Sequence, residues 1–170
     1  MKRLLLLLLV PFFLQSCIVS SKPNMDFAKT IKRPKGAHVQ SINPPVALAK
    51  PFIIKALKDD EDSRELASII KKVKKVHVML VSLDTLSDNS QYLKAMADRM
   101  DQYLQKNNYE AYATVRSKGQ KVGIHAIQEG DVIRQLMIHV ISPDNGEVYV
   151  HLKAKLSPDD LSKLINSMDN

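Results

Sequence analysis

The chain has 170 residues, of which 45% are hydrophobic, 25% charged and 5% aromatic, with one cysteine and no tryptophan. It suits a single globular domain, and it is too apolar for a disordered chain and too poor in proline and glycine for a low-complexity one. One cysteine excludes an internal disulfide and a clustered-cysteine zinc site, and the formal charge of +7 matters less than where the charges sit.

Lys2 and Arg3 open the chain and an apolar run follows from Leu4 through Leu14, broken once by Pro11. That run is shorter than the roughly 20 residues needed to span a bilayer, so residues 1–16 read as a secretory signal. Cys17 falls just after it, in Leu14-Gln15-Ser16-Cys17, which resembles the lipobox of bacterial lipoproteins, with Gln15 a departure from the pattern. The resemblance implies acylation of Cys17 and cleavage before it, and each buried methylene of an acyl anchor contributes about 0.8 kcal/mol. Loss of Lys2 and Arg3 lowers the formal charge to +5. Ile18 is not an aspartate of the inner-membrane retention type, so the expected address is the outer membrane, facing the periplasm.

Residues 17–36 show no sustained periodicity and carry Lys22, Lys29, Lys32, Arg33 and Lys35 against Asp26, so they read as a basic tether. The domain is expected over 37–170. His38–Ile42 predicts a short strand; Asn43 and Pro44 predict a helix start, with Pro51 expected to kink or split that helix. The acidic stretch Asp59-Asp60-Glu61-Asp62 lacks the spacing of a calcium loop and reads as helix N-terminal charge, Asp62 and Glu65 forming a capping box. Leu66, Ile69, Ile70, Val73 and Val76 keep helical spacing, ending in the cations Lys71, Lys72, Lys74 and Lys75. Val76–Leu83 reads as a central strand, its two faces apolar except at His77. A helix is expected from about Asp88 to Asn107, with Leu93, Met96, Ala97, Met100, Tyr103 and Leu104 inward and Asn107-Asn108 closing it.

From Glu110 the period changes to two. A turn at Lys118-Gly119 sets Ser117 against Gln120, Val115 against Val122, Ala113 against Ile124 and Ala111 against Ala126. Further strands are expected over Val132–Ile141 and from Val148 to Leu156, and Ser157-Pro158-Asp159-Asp160 starts a last helix with Leu161, Leu164, Ile165 and Met168 inward. The fold class is therefore α+β: an antiparallel sheet of about five strands, four of them a C-terminal meander, with helices on one face. The opposite face would present Tyr112, His125, Gln135, Met137, His139, Tyr149, His151 and Lys153, with Tyr112, His125, Met137, His139, Tyr149 and His151 a candidate partner-binding surface. A three-residue loop of Asp144, Asn145 and Gly146 would set His139 directly opposite His151, a weak candidate for metal because no third ligand is in register.

The sequence holds no phosphate loop, nucleophile elbow or zincin helix, and implies no cofactor. Low aromatic content and export argue against nucleic acid. From the lipobox to the last helix the chain resembles short lipoproteins, mostly of Bacteroidetes, that carry the domain of unknown function numbered four-two-five-two. The likeness is carried by the Lys-rich segment leading into Val76–Leu80, by Leu104–Glu110 and by the hairpin Arg116–Val122. That family has no established activity and supplies no catalytic residue; gene neighbourhoods with alternative sigma factors imply envelope signalling. The expected function is a membrane-anchored, non-enzymatic binding or regulatory module with an envelope protein partner. The competing expectations are a metal-assisted hydrolase using His139 and His151, and a structural component of an outer-membrane assembly.

Overall fold

The computed structural model describes residues 25–58, 64–83, 90–117, 119–142 and 146–169. The signal segment, Cys17, the acidic stretch Asp59–Asp62, the helix start at Asp88, the turn residue Lys118, the turn residues Pro143, Asp144 and Asn145, and the Met168 side chain lie outside them. A single 3-10 turn, Asp26–Thr30, precedes strand β1 (Ala37–Ile42) and helix α1 (Val46–Lys58). Helix α2 (Arg64–Lys72) runs straight into β2 (Val73–Leu83), and α3 (Ser90–Lys106) follows. The strands β3 (Glu110–Ser117), β4 (Gln120–Glu129), β5 (Val132–Ser142) and β6 (Gly146–Leu156) come next, then α4 (Pro158–Asp169). All strand pairings are antiparallel, in the order β1-β2-β6-β5-β4-β3. The α+β class and the meander follow from the sequence pattern. The sheet has six strands, His38–Ile42 pairing with β2 as an edge.

Alternation in a strand sends successive side chains to opposite faces, and both faces of this sheet are covered by helices. On the first face, α1, α2 and α4 lie over an aliphatic core that includes Ile69, Val73, Ile124, Leu136, Leu156 and Leu161. On the second, α3 and the 3-10 turn lie over Met79, Val81, Met137 and Tyr149, with Tyr92, Met96, Met100 and Leu104 pointing inward from α3. The expectation of helices on one face is corrected here. An apolar stripe shows that a helix is buried but not on which side, and a face of Met, Tyr and His reads as half-polar until a helix is laid on it.

The packed domain also starts earlier than Ala37. Met25 and Phe27 are buried in the second core, and the Phe27 ring meets Tyr103 and Tyr149 at centroid distances of 5.5 and 5.6 Å. Residues assigned to the tether by their charge are therefore part of the fold, because the two apolar anchors flanking Asp26 outweigh the lysines beyond them.

Local signals explain the element ends. Helix α2 stops at Lys72, four residues before the predicted end; Val73 and Val76 are β-branched, and a bulge at Lys74 keeps both aimed at the first core. Helix α1 runs unbroken through Pro51, starting from the Pro45 carbonyl, which accepts from Leu48 and Ala49. Its apolar residues are not all inward: Leu48 and Phe52 are 70% and 76% exposed. Helix α4 opens with a reciprocal cap, Asp160 N–H donating to Ser157 Oγ at 3.1 Å and Ser157 N–H to Asp160 Oδ2 at 2.8 Å. The β3–β4 hairpin pairs Ser117 with Gln120, Val115 with Val122 and Ala113 with Ile124, as the turn dictates. A bulge at Tyr112 then moves Ala111 opposite His125 and leaves Ala126 to Glu110, correcting the last expected pair.

Candidate functional site

The residues singled out in sequence meet on the second face. A period of two on β6 aligns Glu147, Tyr149 and His151; β5 adds Gln135, Met137 and His139, β4 His125, and β2 His77. Met137, Tyr149 and His151 are fully buried, His139 is 6% exposed and His125 is half-buried. Only Tyr112, on the bulged edge strand β3, is exposed, at 38%. The proposed partner face is thus interior, and α3 is the partner that covers it.

His139 does not face His151. Ser142 pairs with Gly146, one position earlier than the expected turn, so His139 lies opposite Tyr149, and His151 lies between Met137 and His77. A two-residue slip keeps every side chain on its face and changes only its neighbours. Two separate clusters result. In one, Glu147 accepts from the Tyr149 hydroxyl and sits 3.0 Å from His139 Nε2, while the His139 and Tyr149 rings stack at 4.3 Å. In the other, His151 Nε2 lies 2.9 Å from the Tyr109 hydroxyl and 3.0 Å from Gln135 Oε1. Amide oxygen only accepts, so this bond assigns the ring proton to Nε2. Alongside, His77 Nε2 meets Ser41 Oγ at 2.6 Å.

Electrostatics keep the second cluster neutral. Burial first, then the charges of His77 and Lys153, push His151 down to about 4. Burial, reinforced by Tyr103, raises the Tyr109 phenol well above its ordinary value, and burial with the Glu147 carboxylate does the same for Tyr149. Burial also lowers His125, against the opposing pull of Asp101. At neutral pH His151, Tyr109 and Tyr149 are uncharged, hydrogen-bonded core. Among the described residues, no three His, Cys, Asp or Glu side chains are placed to hold a metal ion.

Gln135, expected on this face from its strand parity, completes the second cluster, and Tyr109 and Glu147, which were not among the sequence candidates, complete the pair of clusters. Tyr109 had a legible signal. Asn108 adopts φ 57°, its N–H bonds Gln105 O at 3.2 Å and the Tyr109 N–H bonds Leu104 O at 2.9 Å, a Schellman closure of α3. The Asn107-Asn108 stop therefore aims Tyr109 at His151.

The first face is closed less completely. Between α1 and the sheet lies an apolar chamber of about 250 Å³, walled by Val46, Ala49 and Ile53 of α1, Val76 and Leu152 of the sheet, and Leu164 of α4. It shares Pro44, Val46 and Val76 with a wider mouth of about 490 Å³ that reaches Lys74 and Lys75. Of the other two lysines of the basic run, Lys72 Nζ pairs with the buried Asp160 at 2.6 Å, and at Lys71 it is the main-chain carbonyl that accepts from Lys50 Nζ, at 2.9 Å. Among the described residues no helix is long and apolar enough to cross a membrane.

Fold and sites together define an α+β domain with a sealed polar face and an opened apolar one. The chain belongs to the family described as domain of unknown function DUF4252, whose model matches residues 46–164, from α1 into α4. No curated protein and no solved structure matches it.

Proposed function

We propose that this protein is a lipid-anchored lipoprotein of the cell envelope, held at the outer membrane and facing the periplasm, whose domain is a binding or regulatory module and not an enzyme. The anchor rests on Leu14-Gln15-Ser16-Cys17 at the end of a signal-like run. The observation that carries the module reading is the separation of chemistry from access. His139, His151, Tyr109, Tyr149 and Glu147 are packed under α3 in hydrogen bonds among themselves, while the open cavity lies on the other side of the sheet and is walled by aliphatic side chains. Such a cavity orders a ligand by shape and burial.

Metabolic labelling with a clickable palmitate tests the anchor: the natural chain takes up label and sediments with membranes, and Cys17→Ala loses both. Label retained by Cys17→Ala overturns it. Crosslinking in intact cells followed by mass spectrometry tests the module, with a reproducible crosslinked partner expected; recovery of the monomer alone counts against it.

A further inference from the structure

At one end of the sheet the second face changes character. Past His77 and His151 the next pair of the same parity is Lys75 and Lys153, with Gln135 beside Lys153 on β5. Lys75 and Lys153 lie directly opposite each other, and like charges facing across strands destabilise a sheet. Burial first, and then Lys75 and Lys74, hold the Lys153 ammonium below its ordinary value.

Two backbone irregularities bring further charge to this end. One leaves Lys74 of β2 out of the pairing with β6, and another leaves Arg134 of β5 out of the pairing with β4. Bulges re-aim side chains and are common beside functional sites. Both extruded residues are cations, and both line one cavity of about 310 Å³, together with Lys153, Lys155, Gln135 and Glu129. The adjacent strands β2, β6, β5 and β4 thus place four cations and one carboxylate around a single concavity, a formal surplus of three positive charges. Glu129 meets Arg134 at 3.0 Å, but both side chains are exposed, so this pair contributes little and does not neutralise the cavity. A merely solvated face spreads its lysines apart, whereas here the irregularities gather them, and a bound anion relieves the repulsion.

The size and charge of the cavity select the anion. It lies at the small end of the roughly 300–1,000 Å³ usual for ligand sites, so it suits a compact group. A phosphate monoester carries about −1.5 to −2 charges at neutral pH and three acceptor oxygens, which lysine and arginine can approach from several strands. A carboxylate or a phosphodiester carries a single charge and leaves more of the surplus in place.

We infer that this cavity binds a phosphate monoester, its oxygens held by Lys74, Arg134, Lys153 and Lys155. Small soluble esters and the headgroup of phosphatidic acid share that chemistry. The site is separate from the aliphatic cavity that supports the module reading, and its failure would leave that reading to the crosslinking test.

Titration of the purified full chain with glycerol phosphate, at constant ionic strength and followed by NMR, tests this. Saturable shifts are expected at the Ala154 amide and, through Gln135, at the His151 ring. Acetate and dimethyl phosphate should bind roughly tenfold or more weakly, and the exposed double change Lys74→Gln with Lys155→Gln should weaken glycerol phosphate to a similar extent. Glu129→Gln removes the competing carboxylate and should tighten binding, a gain that damage to the fold does not produce. Sedimentation of the unacylated Cys17→Ala chain with phosphatidylcholine vesicles containing phosphatidic acid separates the sources. Sedimentation lost in the double variant gives the lipid headgroup, and any other vesicle result beside glycerol phosphate binding gives a soluble ester, both within the inferred class. No saturable glycerol phosphate binding, equal binding of acetate, or binding unchanged by both sets of substitutions overturns the inference.

Discussion

The two faces of one sheet solve the same burial problem with different materials. Under α1, α2 and α4 the side chains are Val, Ile and Leu, and the helices leave a gap. Under α3 they are Met, Tyr and His, and the gaps are filled by hydrogen bonds and ring contacts running from Phe27 through Tyr103 and Tyr109 to His151. Branched aliphatics pack by shape alone, so a helix that stands off leaves a cavity. Flexible methionines and amphipathic rings adapt to the space and tie it down. The chemically richer face is therefore the one closed beneath its helix, and the plainer face keeps a cavity there.

Both faces depend on the β5–β6 connection holding β6 against β2. Gly146 sits there at φ 82°, and a Cβ at that position would lie 2.1 Å from the Val81 carbonyl oxygen. Gly146→Ala is expected to have the largest effect, about 4 kcal/mol or more, because left-handed strain adds to a collision between backbones. Gly130, at φ 57° with open space around it, is the control; its alanine variant should cost about 1 kcal/mol. Equal urea midpoints for the two variants would show that the Val81 approach is relaxed in solution.

The faces should also part with pH. His151 is near 4 folded and near 6.5 unfolded, so between those values the unfolded chain binds more protons and stability falls as pH falls. The loss over that window is on the order of 3 kcal/mol. On the first face the titrating link is Asp160. Burial raises its carboxyl, but Lys72 and Ser157 more than reverse that, leaving it below the ordinary carboxylate value. Its contribution persists above the unfolded value and disappears only as pH falls through the lowered folded one. Urea midpoints from pH 8 to 3 should fall in two stages, with His151→Phe flattening the upper stage and Asp160→Asn the lower. An upper stage unchanged in His151→Phe would refute the assignment.

Single truncations make the same distinction at a fixed pH. Leu156→Ala, on the first face, should cost about 3 kcal/mol through lost contacts and a cavity, with the same cost at pH 5 and pH 8. Tyr149→Phe removes one hydroxyl and no volume, leaving Glu147 with His139, and should cost about 1–3 kcal/mol. A larger loss from Tyr149→Phe than from Leu156→Ala would mean that the hydrogen bonds of the second face outweigh aliphatic packing.

The fold was legible where a short-range rule decides it. The switch from period 3.6 to period 2 near Glu110, the Lys118-Gly119 register and the Ser157 cap each depend on residues close in sequence. The site was less legible because its neighbours are set by strand order. His151 faces His77 because β6 lies beside β2, a pairing between segments about 70 residues apart for which no turn supplies the register. Parity survived the misplaced β5–β6 turn, so the right residues shared a face with the wrong partners. Which face α3 covers was not written in its own stripe. Met25 and Phe27 were hidden by the lysines that come after them.

The smallest expected effect tests the link between a local signal and the closed face. Asn108 holds φ 57° at the end of α3, where glycine is at ease and a β-branched residue is strained. Asn108→Gly should change stability by no more than a few tenths of a kcal/mol, since the gain in conformational ease offsets the greater freedom of the unfolded chain. Asn108→Val should cost about 1–2 kcal/mol. If the Schellman closure is what aims Tyr109 at His151, the valine variant should also shift the His151 ring resonances by NMR while leaving those of Leu156 and Leu161 in place. Equal shifts on both faces would mean that the helix end moves the whole sheet, and that the two cores are coupled more tightly than their separate compositions imply.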